Sequence, residues 1–403
     1  MFTLESVKWL ASDAGSTVLE RLAGENLSDG NTLRLLTSLR RDHSPERAGA
    51  ALELAKLRIK AVDKFGADAH KMFFTREALE QASDPLIRKW RAYNPLNPIR
   101  MLDICCSIGS DGLAFAAAGW DVLGYDIDPV RVLMAGLNAE ALGVSARFEI
   151  ADVTEISLQA RFIFYDPARR DHNGKRIFNV EEYIPPLSLT QNFHSNMWQV
   201  KLSPGVEPAQ LDPYFTDTSY MDFYSVKGEL KEALLGYDMG DVSFGQYPEG
   251  FLLKEAFLFT EEKVHRWDNE KAKIETVVSA PRQWLIEPDP ALIRAGLVGD
   301  AAIKFNGTQL DESIAYFTTD EKPDSPWVRA WRILDWMPFN GKKLQAYLRE
   351  RNVGTVTVKK RGTAVTPDVL IPQLKLKGSE SRTLVLTRYQ GQQIVMICED
   401  YVP

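Results

Sequence analysis

Apolar residues at helical spacing dominate the first 95 residues of the chain. The clearest pattern covers residues 48–65. Ser44 and Pro45 precede it, and such a pair is typical of a helix start, because serine caps the helix and proline fits its first turn. A second helical pattern follows Thr75, which we expect to be its cap. These patterns predict an N-terminal helical domain over residues 1–95.

The next segment alternates short apolar runs with amphipathic stretches. Strands are predicted at 99–104, 121–125, 146–150 and 162–165, and helices at 111–118 and 129–142. Strands that alternate with helices in this way form a parallel sheet with helices on both faces. Apolar runs at 197–202, 223–226 and 255–259 predict further strands, so we place an α/β domain over residues 96–275.

The remaining residues divide into two parts. The charged stretch 261–273 predicts a surface turn or linker, and residues 276–326 predict a connector with a short helix at 291–295. Residues 327–403 have the order β-α-β-α-β-β, which predicts a small α+β domain with one sheet and two helices.

The charge of the chain is uneven. The net charge is −7, yet residues 327–403 contain 13 Lys and Arg against 6 Asp and Glu. A basic module on an acidic body favours a polyanionic partner such as RNA, and the run Lys359, Lys360 and Arg361 is our candidate contact with its phosphates. A solvated basic face is the alternative.

Three cysteines, Cys105, Cys106 and Cys398, are too few and too poorly spaced for a disulfide framework or a metal site. This usage is typical of a reducing compartment, so we expect a cytoplasmic protein without a metal. No apolar run reaches the roughly 20 residues that span a membrane. The sequence leaves the oligomeric state open.

Four acidic residues occur where the first four predicted strands end. They are Asp103, Asp126, Asp152 and Asp166. The carboxyl ends of parallel strands meet at one edge of a sheet, which is where such sheets bind ligands. Asp126 can accept hydrogen bonds from two ribose hydroxyls, and Asp152 can accept one from a purine amine. The pattern therefore favours a nucleoside ligand.

The turn between the first strand and its helix is built from small residues, Cys105 to Ser110. Small side chains let backbone N–H groups approach a ligand at a helix N-terminus, although many such turns serve packing alone. The turn lacks the Gly-x-Gly-x-x-Gly pattern that admits a pyrophosphate, because only Gly109 and Gly112 are present. A ligand without phosphates fits it better.

Together these residues resemble class I S-adenosylmethionine-dependent methyltransferases. Residues 103–111, 124–131, 137–140 and 151–152 are similar to the core of the trimethylguanosine synthase group, which methylates guanine N2 in RNA caps. The resemblance implies a Rossmann-like sheet and the cofactor S-adenosyl-L-methionine. It also implies that residues 73–76 cover the cofactor. The implied cofactor-binding residues are Phe74, Thr75, Asp103, Cys105, Gly109, Ser110, Asp111, Asp126, Ile127, Asp152, Val153 and Asp166.

The chain departs from this group at the fourth strand. The group has Asn, Asp or Ser followed by Pro-Pro-aromatic, whereas this chain has Asp166-Pro167-Ala168-Arg169. The acid and the first proline remain, so we expect Asp166 and Pro167 to orient a target amine. Arg169 can bind a phosphate or carboxylate, or it can pair with Asp171 or Glu181. Lys201, near the same edge, can contact a substrate, but we expect it to be solvated.

The whole chain resembles bacterial methyltransferases that end in a THUMP-like domain. Residues 72–82, 166–170, 201–205, 287–290 and 358–362 carry this resemblance. THUMP domains bind RNA, so it implies methylation of a base nitrogen in tRNA or rRNA. Two alternatives remain: a methyltransferase for a small molecule or protein, with a C-terminal packing module, and a non-catalytic protein that binds the cofactor or RNA.

Overall fold

The computed structural model describes residues 2–93, 99–171, 174–216, 218–239, 252–269 and 277–401. Contacts divide the chain into two compact units. The first unit comprises residues 1–221 and 231–252, and the second comprises residues 222–230 and 253–403.

The α-helices of the described residues are α1 (Leu4–Leu10), α2 (Asp13–Ala23), α3 (Thr32–Leu39), α4 (Pro45–Phe65), α5 (Arg76–Gln81), α6 (Pro85–Ala92), α7 (Ser110–Ala117), α8 (Pro129–Leu142), α9 (Pro290–Ala295), α10 (Val298–Lys304), α11 (Gly341–Glu350) and α12 (Pro367–Leu374).

The strands are β1 (Arg100–Ile104), β2 (Asp121–Asp126), β3 (Ala146–Ile150), β4 (Leu158–Gln159), β5 (Phe162–Tyr165), β6 (Phe193–His194), β7 (Met197–Leu202), β8 (Ser219–Val226), β9 (Glu229–Asp238), β10 (Leu253–Phe259), β11 (Val264–Asp268), β12 (Trp284–Pro288), β13 (Thr308–Gln309), β14 (Phe317–Thr319), β15 (Val328–Pro338), β16 (Val353–Lys360), β17 (Glu380–Tyr389) and β18 (Gln392–Cys398).

The N-terminal helices form where capping and spacing predict them. Ser44 Oγ accepts a hydrogen bond from the Arg47 backbone N–H, and Pro45 opens α4. Thr75 Oγ1 caps α5 by accepting from the Ala78 N–H at 3.1 Å. The buried faces of these helices share one hydrophobic core with residues of α7 and α8, so that the helical segment supports the strand–helix segment after it.

The first unit contains the parallel sheet that the alternation predicts. Its strands lie in the order β9-β7-β5-β1-β2-β3, with β7 to β3 parallel and β9 antiparallel to β7. Strand β1 pairs with β2 on one side and with β5 on the other, which makes its carboxyl end the switch point of the sheet. Ligands of open α/β sheets bind at such a point.

The second unit contains a seven-stranded sheet in the order β13-β14-β12-β15-β18-β17-β16. Residues 327–403 have the predicted order, with β15, α11, β16, α12, β17 and β18 following one another. The segment 276–326 is more than a connector, because β12 pairs antiparallel with both β14 and β15. The stretch 261–273 also differs from the expected surface turn, since β11 pairs with β10. Strand β11 has no periodic apolar pattern, because it mixes polar and apolar residues.

Neither a membrane-spanning helix nor a metal-binding cluster is found among the described residues. None of the described helices is both long and apolar enough to cross a bilayer. Across the described ranges, His, Cys, Asp and Glu side chains form no group of three or more that could hold a metal ion.

Candidate active site

A cavity of about 330 Å³ lies at the carboxyl ends of β1, β2 and β5. Pockets for small ligands begin at about this size. Its lining residues come from α5, from the loops after β1, β2, β3 and β5, and from residues 183–186. They are Ala78, Gln81, Ala82, Asp103, Cys105, Cys106, Ser107, Ile108, Ser110, Asp111, Asp126, Ile127, Arg131, Ala151, Asp152, Val153, Thr154, Phe164, Asp166, Ala168, Tyr183, Ile184, Pro185 and Pro186.

The turn after β1 is held tightly against β2. Cys105 and Ser107 have left-handed φ angles of 63° and 52°, and Gly109 has a φ of 80°. The Ser107 N–H donates to Asp126 Oδ2 at 2.8 Å, which fixes the turn to the end of β2. Burial raises the pKa of the Cys105 and Cys106 thiols well above the usual value, so both stay protonated at neutral pH and shape the wall.

Asp126 and Asp152 present carboxylates to the cavity as hydrogen-bond acceptors. Asp126 is 8% exposed and accepts from the backbone N–H groups of Ser107 and Asp128. An ionised carboxylate has about four acceptor sites, so Asp126 can still accept two donors from a ligand. Asp152 is exposed and accepts from Thr154, whose side-chain and backbone hydrogen bonds lower the pKa of Asp152.

Asp103 is the most deeply buried of these acids. It is 1% exposed, and its Oδ2 atom has no hydrogen-bond partner in the described part of the chain. Burial, followed by the charges of Asp111 and Asp166, raises its pKa well above the usual value. A Cβ on Gly112 would lie 2.5 Å from Oδ2, so glycine is needed there. Protein atoms enclose this oxygen, so it lies behind the cavity surface.

A buried ionic network lies beneath the cavity. Asp111, at the start of α7, pairs with Arg91 at 2.6 Å, and Arg91 also pairs with Glu232 of β9. Ser83 Oγ lies within hydrogen-bond distance of both Asp111 and Glu232. Burial alone would raise the pKa of Asp111, but Arg91, Lys201 and Arg88 hold it below its usual value. The network therefore keeps Asp111 ionised and fixes the start of α7.

The same network reaches Asp166 through Lys201. Lys201 is 2% exposed, and its Nζ donates to Asp166 Oδ2 at 2.8 Å and to the Gln81 carbonyl oxygen at 3.2 Å. Glu232 Oε2 lies 3.9 Å from Nζ. The expectation of a solvated Lys201 was wrong, because β7 is an inner strand of the sheet and the end of this side chain meets two carboxylates.

Some of the implied site residues lie away from the cavity lining. Phe74 is fully buried against Phe65, and Thr75 caps α5. Asn138 holds their segment by bonding both backbone groups of Phe73 and the Ile108 carbonyl oxygen. Gly109 ends the turn before α7, also outside the lining. These residues lie behind the cavity lining and hold the segments that form it in place.

The fourth strand end combines predicted and unpredicted residues. Asp166 lines the cavity, whereas Pro167 and Arg169 do not. In the described residues, Arg169 and Arg170 form no ion pair with Asp171 or Glu181. Sequence reasoning missed the segment Tyr183–Pro186, which lies beside Asp166 in the cavity wall because residues 168 and 184 form a β-bridge. A bridge between residues that far apart leaves no local pattern.

The basic run at the end of β16 is largely paired. Lys359 Nζ lies 2.6 Å from Glu287 Oε2 and 4.0 Å from the centre of the Trp331 ring. Arg361 also pairs with Glu287, at 3.4 Å, whereas Lys360 is exposed. Other cations of the second unit are exposed on or near α11 and α12, namely Lys342, Lys343, Arg349, Lys375 and Lys377.

Comparisons with known proteins agree with this architecture. Residues 328–400 match the family described as THUMP domain-like, and residues 3–61 match a domain of unknown function. A crystal structure of a provisionally named methyltransferase from Porphyromonas gingivalis W83 shares the fold. Its TM-score is 0.77 at 18% identity, and the match covers 95% of this chain and 97% of that one.

Sequence relatives identify the family. Uncharacterized S-adenosylmethionine-dependent methyltransferases of two Mycobacterium tuberculosis strains, CDC 1551 / Oshkosh and ATCC 25618 / H37Rv, are each 31% identical over 349 residues. Each match covers 85% of this chain and 93% of the relative. The cavity fits that cofactor, because five acids and one arginine line it and suit a ligand that carries a sulfonium and no phosphate. The chain therefore belongs to the S-adenosylmethionine-dependent methyltransferases, with a Rossmann-like sheet and a C-terminal THUMP-like domain.

Proposed function

We propose that this enzyme methylates a base nitrogen in RNA, either tRNA or rRNA. The observation that carries the proposal is the state of Asp166. Its Oδ2 accepts from Lys201, while its Oδ1 makes no hydrogen bond in the described residues, and the side chain, 24% exposed, lines the cavity. A fixed carboxylate with one free oxygen is the acceptor that an amine nucleophile needs.

The first part of the proposal concerns the cofactor. Asp126 accepts the ribose hydroxyls, and Asp152, with Ile127 and Val153 beside these acids, binds the adenine. The turn from Cys105 to Ser110 holds the methionine part, where small residues and left-handed backbone allow a close approach. The ionised Asp111 makes that end of the cavity negative, which suits an ammonium group.

The second part concerns the acceptor. When bound, S-adenosylmethionine supplies a methyl group on a sulfonium, so that an N–C bond forms as the S–C bond breaks and a thioether leaves. The protein therefore has to orient the amine and accept its proton. Asp166 Oδ1 does both by accepting an amine N–H, and the Pro167 carbonyl oxygen is our second acceptor. Lys201 keeps the carboxylate in one orientation.

The RNA part of the proposal is supported by the THUMP domain-like match and by the basic charge of residues 327–403. Lys359 and Arg361 are paired with Glu287. We therefore expect Lys360 and the exposed Lys342 and Lys343 to contact the phosphates. Neither Lys342 nor Lys343 forms an ion pair in the described residues. Exposed lysines of this kind contact phosphates without reading sequence.

A second candidate function uses the same site with a small-molecule or protein acceptor. The pairing of Lys359 and Arg361 with Glu287 favours it, because two of the three cations of the basic run are engaged within the second unit, as expected for a packing module.

Transfer of a tritiated methyl group to RNA tests the proposal. The acceptor is total small RNA and rRNA from cells that lack the gene, so that the target position is unmethylated. We expect the parent enzyme to label one RNA class and Asp166→Asn to lose at least 100-fold in turnover while it binds S-adenosylhomocysteine normally. Labelling of protein or of a small-molecule extract, with none in RNA, would support the second candidate instead.

A further inference from the structure

The segment Tyr183–Pro186 is a fixed part of the cavity wall. The Ala168 N–H donates to the Ile184 carbonyl oxygen at 2.9 Å, and the Ile184 N–H donates back at 3.1 Å. The Tyr165 hydroxyl lies 2.6 and 3.1 Å from the carbonyl oxygens of the two prolines that follow. These bonds attach the segment to the end of β5, next to Asp166.

The segment has one polar group without a partner. Tyr183 is 2% exposed and lines the cavity, and its hydroxyl makes no hydrogen bond in the described residues. Burial raises the pKa of this phenol, although Arg169 and the Ser203 backbone oppose the rise. Its hydroxyl oxygen is enclosed by protein, so Tyr183 offers the cavity its ring and no hydrogen-bond donor.

The rest of the segment is apolar and open. Ile184 is 58% exposed at the cavity, and Pro185 and Pro186 line it beside Ala168. None of the described residues that line this part of the wall is a cation, and Lys201 is buried on Asp166. A flat uncharged ring can cover the isoleucine and the prolines.

We infer that Ala168 and the segment Tyr183–Pro186 form the acceptor subsite, and that it takes a flat, uncharged nitrogen heterocycle. The ring lies on Ile184 and the prolines, and its amine faces Asp166. The segment thus replaces the aromatic residue that this chain lacks after Pro167. This inference deepens the proposed function, because it rests on methyl transfer at Asp166. A heterocycle in RNA reaches such a subsite by leaving its stack.

Binding of nucleosides to the enzyme saturated with S-adenosylhomocysteine tests the subsite. Guanosine, adenosine and cytidine are the probes, Nα-acetyl-lysine represents a protein acceptor, and binding is followed by ligand-observed NMR. Ile184→Ala removes apolar surface under the ring, so the dissociation constant of the bound nucleoside should rise about five- to tenfold. Ile59→Ala, at an isoleucine of α4 that is 61% exposed, is the matched control and should change nothing.

Unchanged nucleoside affinity in Ile184→Ala would overturn the inference, as would binding of Nα-acetyl-lysine alone.

RNA labelling separates this inference from the proposed function. Nucleoside binding that depends on Ile184, without any labelling of RNA, would support the subsite and reject RNA as the acceptor. RNA labelling by Ile184→Ala with the KM of the parent would support RNA and reject the subsite.

Discussion

Replacement of Lys201 by methionine tests whether the buried network holds Asp166. The change removes the charge but keeps most of the apolar stem. It leaves Asp166 without its partner at 2.8 Å and Glu232 without a cation at 3.9 Å. Loss of one member of a buried ion pair costs about 3–5 kcal/mol. Because Asp166 is 24% exposed and Glu232 keeps Arg91, we expect about 2–4 kcal/mol here.

That loss should lower the Tm by roughly 5–15 °C for a unit of this size. Turnover should fall on the order of 100-fold, since a small misplacement of an orienting group has effects of that size. Affinity for S-adenosylhomocysteine should stay within about threefold of the parent, because Lys201 does not line the cavity. Thermal denaturation, calorimetry and methyl-transfer kinetics give these three quantities separately.

A double variant controls for simple loss of packing. Lys201→Met with Asp166→Asn removes both charges, so it should regain about 1–2 kcal/mol of stability while it stays inactive. Lys201→Arg should restore part of the turnover, because the guanidinium still offers a donor to Asp166. The reasoning fails if Lys201→Met costs less than about 0.5 kcal/mol and keeps the turnover of the parent.

Three further predictions concern other parts of the chain. Asp126→Ala should weaken S-adenosylhomocysteine binding by about 10- to 100-fold, because charge-assisted hydrogen bonds are lost; equal calorimetric affinity would show that the assignment is wrong. Burial raises the pKa of Asp103 above its unfolded value of about 4, so stability of the ligand-free protein falls as pH rises between the two values. Asp103→Asn should therefore have a higher Tm than the parent at pH 8 and the same Tm near pH 4. Lys342→Gln with Lys343→Gln should reduce the salt dependence of RNA binding in filter-binding assays. Lys359→Gln should chiefly lower the melting temperature of the second unit. The reverse pattern would show that Lys359, Lys360 and Arg361 contact the RNA instead.

Sequence periodicity predicted much of the fold because the core strands and helices are strongly apolar. The strand Phe162–Tyr165 and the helix Pro129–Leu142 have the predicted bounds. Short strands that mix polar and apolar residues were missed. Strand Val264–Asp268, for example, has a charged sequence and forms because β10 offers it a partner.

The candidate site was predictable where its residues follow strands of the parallel sheet. Asp103, Asp126, Asp152 and Asp166 line one cavity because parallel strands end at one edge. Arg91 and Glu232 could not be identified from the sequence, because a buried ion pair between residues 141 positions apart depends on tertiary structure alone. The basic run predicted the RNA contact less well, because the sequence does not reveal that Lys359 and Arg361 pair with Glu287 within the protein.

Nucleoside analysis of cellular RNA tests the central claim most directly. Total tRNA and rRNA are digested and analysed by mass spectrometry from cells that carry the parent gene, the Asp166→Asn gene or no gene. We expect one nucleoside with a methyl group on a base nitrogen in the parent and its absence from the other two. Identical methylated nucleosides in all three would contradict RNA methylation at Asp166.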